Sequence, residues 1–217
     1  MGRTTRQIAE LNQRTLDAIA SGAEGIDWLS HPFVGFHTIA LPNAEPFVMF
    51  SNNDCHIVRE LIWRRGFEDF ALRLWVDRAK ICGTVFDIGA NTGLYSLAAA
   101  AANAEASIVA FEPLPEALKR LELNVQVNDF QSVRTSQFAV ANAPATVALE
   151  FNKKAYRLIN TGGRVRSTSS AQSPNIGRIT ARTIKFDEVL DQMKVVGRML
   201  VKIDVEGGEE AVLVGGE

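Results

Sequence analysis

The chain has 217 residues, 47% hydrophobic and 22% charged, enough for one domain with a substantial core and too apolar for a disordered segment. Its 23 basic and 25 acidic side chains are scattered along the chain and leave a net charge of -2, so the basic footprint of a nucleic-acid binder is absent and no nucleic-acid partner is expected. No apolar run reaches the roughly 20 residues of a membrane span and the N-terminus carries no apolar secretory block, which makes a soluble, cytoplasmic protein the expectation. Cys55 and Cys82 stand apart from each other and from any Cys/His cluster, which argues for buried thiols and against a zinc site.

In chain order, Thr5 to Ser21 sets Ile8, Leu11, Leu16 and Ile19 at helical spacing and stops at Gly22, predicting an amphipathic helix. Phe33 to Leu41 and Pro46 to Ser51 are β-prone runs separated by Pro42, Asn43, Ala44 and Glu45, the chemistry of a hairpin turn. Asp54 is placed to cap a helix bearing Ile57, Val58, Leu61 and Ile62, with Arg64 and Arg65 in its last turn and Gly66 beyond. A further helix is expected over Glu68 to Ala79.

From Thr84 the pattern becomes short apolar runs alternating with helical stretches, the mark of βαβ units around a parallel sheet. Strands are expected at Thr84 to Ile88, Ser107 to Glu112, Val133 to Val140 and Met199 to Val205, and helices at Thr92 to Ala102 and Pro115 to Val127. Two more β-like runs, Thr146 to Phe151 and Ile179 to Phe186, flank a loop from Asn160 to Arg178 that holds Arg164, Arg166 and Arg178 and no acidic residue. As a lid, that loop would bring its arginines to an anionic substrate; as an ordinary loop it is simply mobile.

The stretch from Val85 to Ser96 runs a buried strand straight into a helix through Gly89, Asn91 and Gly93. Lacking a Cβ, the glycines let the backbone turn tightly and approach a ligand, while the helix offers unpaired N–H groups, so a nucleotide-like ligand fits there. The spacing is GxxxG and not the GxGxxG of dinucleotide enzymes, which disfavours a pyrophosphate cradle. The next strand ends in Glu112, and adjacent strand ends of a right-handed βαβ unit lie side by side, which faces this carboxylate toward the glycine loop and two ribose hydroxyls. Asp87 either contacts an amino group of the ligand or holds the glycine turn. On the fourth core strand, Lys202 and Asp204 share a face, and an ion pair between them is one reading. The other puts Asp204 and Glu206 at the carboxyl end of the sheet, where one of them orients or deprotonates an acceptor. Two acids separated by one residue are weak evidence for a metal, and none is expected. His31, His37 and His56 all precede the core and are read as structural or exposed, unless the N-terminal segment folds over the site.

The segments FDIGANTGLYS, AFEPLPEALKRLELNVQVND, ARTIKFDEVL and VKIDVEGGEEAVLVGG, in that order from about Val85 to Gly216, together resemble the FkbM family of methyltransferases. The resemblance implies S-adenosylmethionine as cofactor and O-methylation of a hydroxyl on a sugar, glycan, lipid or secondary metabolite. It carries over Asp87, Gly89, Asn91, Gly93 and Glu112 as cofactor-binding residues, with Phe138 and Ala139 beside the adenine, and leaves Asp204 and Glu206 as catalytic candidates. The implied fold is an α/β, Rossmann-like class I methyltransferase with a doubly wound sheet at residues 81–217 and a helical and hairpin extension at residues 1–80. Such a sheet has seven strands, so the core is expected to stop short of completion, exposing one side of the Met199 strand to pairing in a homodimer. A nicotinamide-dependent oxidoreductase and a non-catalytic nucleoside-binding scaffold are the rival readings.

Overall fold

The computed structural model describes residues 4–22, 29–64, 66–152, 164–165 and 174–216. Helix α1 (Thr5–Ser21) opens with a capping box in which the Thr4 hydroxyl accepts the Gln7 N–H and the Gln7 side chain accepts the Thr4 N–H, and it closes at Gly22 in a left-handed turn. Its inward face differs from the apolar stripe of the sequence. Leu16 is exposed while Thr15 is buried, because Thr15 donates to the Pro32 carbonyl and Asn12 bonds both backbone groups of Val34. Those bonds dock the helix on an antiparallel hairpin of β1 (Val34–Ile39) and β2 (Phe47–Asn52), with Val34 opposite Asn52 and Ile39 opposite Phe47.

Helix α2 (His56–Arg59) continues as a π-helical turn, Glu60–Arg64, a local widening that the sequence pattern did not announce. Asp54 does not cap it: Cys55 holds the cap position without a side-chain bond, and the Asp54 carboxylate is taken by Arg120, whose Nη1 and Nη2 donate to its two oxygens at 3.0 Å each. Helix α3 (Asp69–Ala79) follows.

The core sheet is built from β3 (Thr84–Ile88), β4 (Ser107–Phe111), β5 (Val133–Ser136) and β10 (Met199–Ile203), all parallel, in the order β10-β3-β4-β5. Alternation along β3 and β4 sorts side chains to two faces. Val85, Ile108 and Ala110 join the cluster under α3, α4 (Leu94–Ala102) and α5 (Pro115–Val127), while Phe86, Ile88, Val109 and Phe111 pack against α6 (Phe186–Gln192) and Val212 of α7 (Glu209–Val214). Helices on both faces of a parallel sheet make the doubly wound α/β fold that the strand and helix pattern implied. The alanine run of α4 is buried almost throughout, since it lies between α3 and the sheet, where only small side chains let both approach.

The expected strand Val133 to Val140 breaks in two. The chain leaves the parallel sheet after Ser136 and re-enters as β6 (Ala139–Ala141) in a second sheet with β7 (Thr146–Asn152), β8 (Arg164–Val165) and β9 (Ile176–Lys185), in the order β6-β9-β7-β8. Much of the arginine-bearing loop, Arg166 included, lies outside the described residues. Arg178 lies opposite Glu150 in the β7–β9 ladder and donates to its carboxylate at 2.7 Å. Asn124, 0% exposed, joins the two parts of the chain: its carbonyl accepts the Phe50 N–H of the hairpin and its amide donates to the Thr92 carbonyl of the glycine loop. Among the described residues β10 pairs with β3 alone, and no helix is long and apolar enough to cross a membrane.

Candidate functional site

At the carboxyl end of the parallel sheet lies a cavity of about 660 Å³, the position where open α/β sheets bind ligands. Gly89 leaves β3 with φ 83°, and a Cβ there would overlap the Asp204 carbonyl oxygen. The glycine is therefore required both for the left-handed turn and for the close approach of the β3 and β10 ends. Gly93 has φ 97° and caps α4, and its missing side chain makes room for Leu121 of α5. It serves packing behind the cavity wall, not the wall itself.

Glu112, directly after β4, reaches back over this turn. Its Oε2 accepts the Asn91 N–H at 2.8 Å and its Oε1 accepts the Leu114 N–H at 2.9 Å. At 4% exposure the carboxyl is pushed up to about 7 by burial, against the pull of the two backbone N–H groups and with a further push from Asp87. Asn91 sits at φ 52°, and its Oδ1 is buried without a hydrogen-bond partner.

Asp87 is fully buried. Its Oδ2 accepts the Ser96 hydroxyl at 2.7 Å and its Oδ1 lies 3.4 Å from the Lys202 ammonium, directly across the β3–β10 pair. This geometry is that of a group holding the glycine turn and the start of α4. Lys202 Nζ also lies 3.4 Å from Asp204 Oδ2 and 3.4 Å from the Gly89 carbonyl, with the Tyr95 ring centroid at 5.0 Å. Burial pulls the ammonium down, but Asp87 and Asp204 outweigh it and hold Lys202 above its ordinary value. The expected Lys202–Asp204 pair thus exists as one edge of a larger cluster.

The structure gathers Gly89, Asn91, Glu112, Phe138, Ala139, Asp204 and Glu206 around one cavity, and leaves Asp87 and Gly93 behind its wall. Glu206 holds a left-handed turn at φ 56° that brings it to the rim. Phe138 reaches the cavity because the chain crosses between the two sheets at this point, and the Arg182 guanidinium covers its ring at 4.8 Å.

Other lining residues escaped the sequence reading. Tyr95 sits within the FDIGANTGLYS segment, and its hydroxyl donates to Glu68 Oε2 at 2.6 Å. Burial first, then the Glu68 bond and charge, push the phenol up. Glu68, His56 and Phe67 come from before residue 81 and line the same cavity. The earlier segment does fold over the site through these residues, and no spacing or period in the sequence encodes this.

The model of the Methyltransferase FkbM domain matches residues 87–217. The hexuronic acid methyltransferase AglP of Haloferax volcanii is 30% identical over 167 residues, covering 72% of this chain and 60% of the relative. The 31-O-demethyl-FK506 methyltransferase FkbM of Streptomyces tacrolimicus is 27% identical over 154 residues, covering 61% of this chain and 59% of the relative. Among solved structures, a SAM-dependent methyltransferase from Agrobacterium tumefaciens aligns with a TM-score of 0.35 and 15% identity over 48% of this chain and 33% of that one. The chain thus spans about three fifths of the length of the two curated relatives. The match from Asp87 onward takes in the glycine turn, Glu112 and the strand that leads into Asp204, and by it the chain belongs to the FkbM methyltransferase family.

Proposed function

We propose that this chain binds S-adenosylmethionine and transfers its methyl group to a hydroxyl of a sugar, glycan, lipid or secondary metabolite. The observation that supports this best is Glu112, a buried carboxylate over the glycine turn and open to the cavity. An ionised carboxylate offers roughly four acceptor sites, and two are taken by backbone N–H groups, which leaves capacity for a vicinal diol. The unpartnered Asn91 Oδ1 is a second acceptor, the left-handed turn at Gly89 carries the chain past the strand ends, and Phe138 with Ala139 offers a flat apolar wall for a base. Around them Glu68, Asp204 and Glu206 outnumber Lys202, surroundings that favour a cation. Acceptor set, shape and charge therefore fit a nucleoside carrying a sulfonium.

When bound, that cofactor supplies an activated methyl group, so the chemistry asks little covalent help of the protein. In this reading Glu112, Asn91 and Gly89 fix the ribose end, while Asp204 or Glu206 accepts the hydrogen bond of the acceptor hydroxyl, orients its oxygen and takes its proton onto a carboxylate oxygen. Alignment of this kind accounts for most of the acceleration expected of such a site. Two relatives fit an acceptor of this class, a hexuronic acid methyltransferase and a 31-O-demethyl-FK506 methyltransferase. From before the core, His56, Phe67 and Glu68 complete the wall.

A thermal-shift screen tests the reading. S-adenosylhomocysteine should raise the melting temperature and NAD should not; a shift by NAD alone would replace the methyltransferase with the nicotinamide enzyme. Asp204→Ala should lower turnover while S-adenosylhomocysteine affinity holds.

A further inference from the structure

Glu112 and the Lys202 cluster lie at opposite flanks of the same strand end. The sheet order places β4 on one side of β3 and β10 on the other, so the two carboxyl ends stand about 10 Å apart at the usual strand spacing. A ligand gripped by its ribose at Glu112 has its far end over β10. Among the described residues that line the cavity, Lys202 is the one lysine or arginine.

Its three polar contacts are all at 3.4 Å, long against the roughly 2.7–2.9 Å of a strong charge-assisted bond. They are also unequal. Asp87 is 0% exposed and pinned by Ser96, whereas the Asp204 side chain is 60% exposed. One carboxylate keeps the ammonium charged and in place; the other is free to leave it.

We infer that Lys202 is the receptor for the carboxylate at the amino-acid end of the cofactor, with Asp204 yielding its place to that carboxylate while Asp87 and the Gly89 carbonyl hold the ammonium still. The inference rests on the methyltransferase reading and adds to it a residue that selects the amino-acid end of the ligand.

Calorimetric titration with two ligands separates the inference from its premise. S-adenosylhomocysteine carries the amino-acid end, and 5′-methylthioadenosine has the same nucleoside without it. The wild-type chain should bind the first roughly 10- to 100-fold more tightly, the range of a hydrogen bond to a charged group. Lys202→Met should remove most of that advantage and leave 5′-methylthioadenosine within about threefold of its wild-type affinity. Because loss of Lys202 strands the buried Asp87 and can unfold the chain, the wild-type protein is also titrated with decarboxylated S-adenosylhomocysteine, which should bind as weakly as the variant binds the intact ligand. Equal wild-type affinity for the intact and decarboxylated ligands, or an unchanged S-adenosylhomocysteine affinity in a folded Lys202→Met, overturns the inference and leaves the methyltransferase reading standing. If neither nucleoside binds the wild-type chain, both fall together.

Discussion

A carboxyl group at 4% exposure with two backbone N–H partners makes the stability of this chain depend on pH. The pKa of Glu112 in the folded chain, about 7, stands above its ordinary 4.5, so the folded state binds the proton more tightly than the unfolded one. Its contribution to stability is therefore fully present below about pH 4.5 and is lost as pH rises through about 7, a change of about 3 kcal/mol. Urea titrations at pH 5 and pH 8 should show that difference in the wild type and not in Glu112→Gln, which carries no ionisable proton. Hydroxyl donors favour the ionised form, so S-adenosylhomocysteine affinity should be about tenfold lower at pH 6 than at pH 8; a flat profile would separate Glu112 from the ribose. The two glycines of the turn differ in the same physical way. A Cβ at Gly89 meets a backbone carbonyl that cannot move, while one at Gly93 meets the flexible end of Leu121. Gly89→Ala should cost more than about 3 kcal/mol and abolish ligand binding, and Gly93→Ala about 1–2 kcal/mol with binding retained. Equal losses in denaturant titrations would contradict this assignment.

At the scale of elements, the hairpin and the glycine loop are held together through α5. Asn124 satisfies the Phe50 N–H on one side and the Thr92 carbonyl on the other, and Asn124→Ala leaves both unpaired in the interior. A loss of roughly 2–4 kcal/mol is expected, and a loss under 1 kcal/mol in urea titration would show that water replaces the amide. This residue was not legible in the sequence, where it reads as one polar position in an amphipathic helix. What was legible had a local cause. The parallel strands announce themselves as short apolar runs, Gly22 as a helix stop, and the Gly89 and Glu112 pairing follows from βαβ handedness. What was not legible depends on distant partners: Asp54 gives up its cap to Arg120, 66 residues away, and the chain jumps sheets at Phe138 because β9, far along the sequence, offers β6 a pairing edge. The π-turn after α2 and the Glu68–Tyr95 bond belong to the same class, since no period or spacing encodes them.

For the molecule as a whole, the residues before and after position 80 form one hydrophobic cluster, from Phe33, Met49 and Trp75 to Val85, Leu97 and Leu121. The two parts should therefore unfold together. Tryptophan fluorescence, which comes from the early segment because Trp28, Trp63 and Trp75 all precede residue 80, and far-UV circular dichroism should give coincident urea transitions; a separate early fluorescence transition would mean that the extension is an independent unit. The same cluster explains how His56, Phe67 and Glu68 come to line the cavity, because packing of the hairpin on α5 and of α3 on α4 carries them there.

All of this converges on one pocket, where a turn shaped by Gly89 and the carboxylate of Glu112 face the same space. The most direct measurement is calorimetric titration of S-adenosylhomocysteine into the wild-type chain and into Glu112→Ala at pH 8. Loss of two charge-assisted hydrogen bonds should weaken binding at least about 100-fold in the variant, while an unchanged affinity would contradict the assignment of this carboxylate to the cofactor.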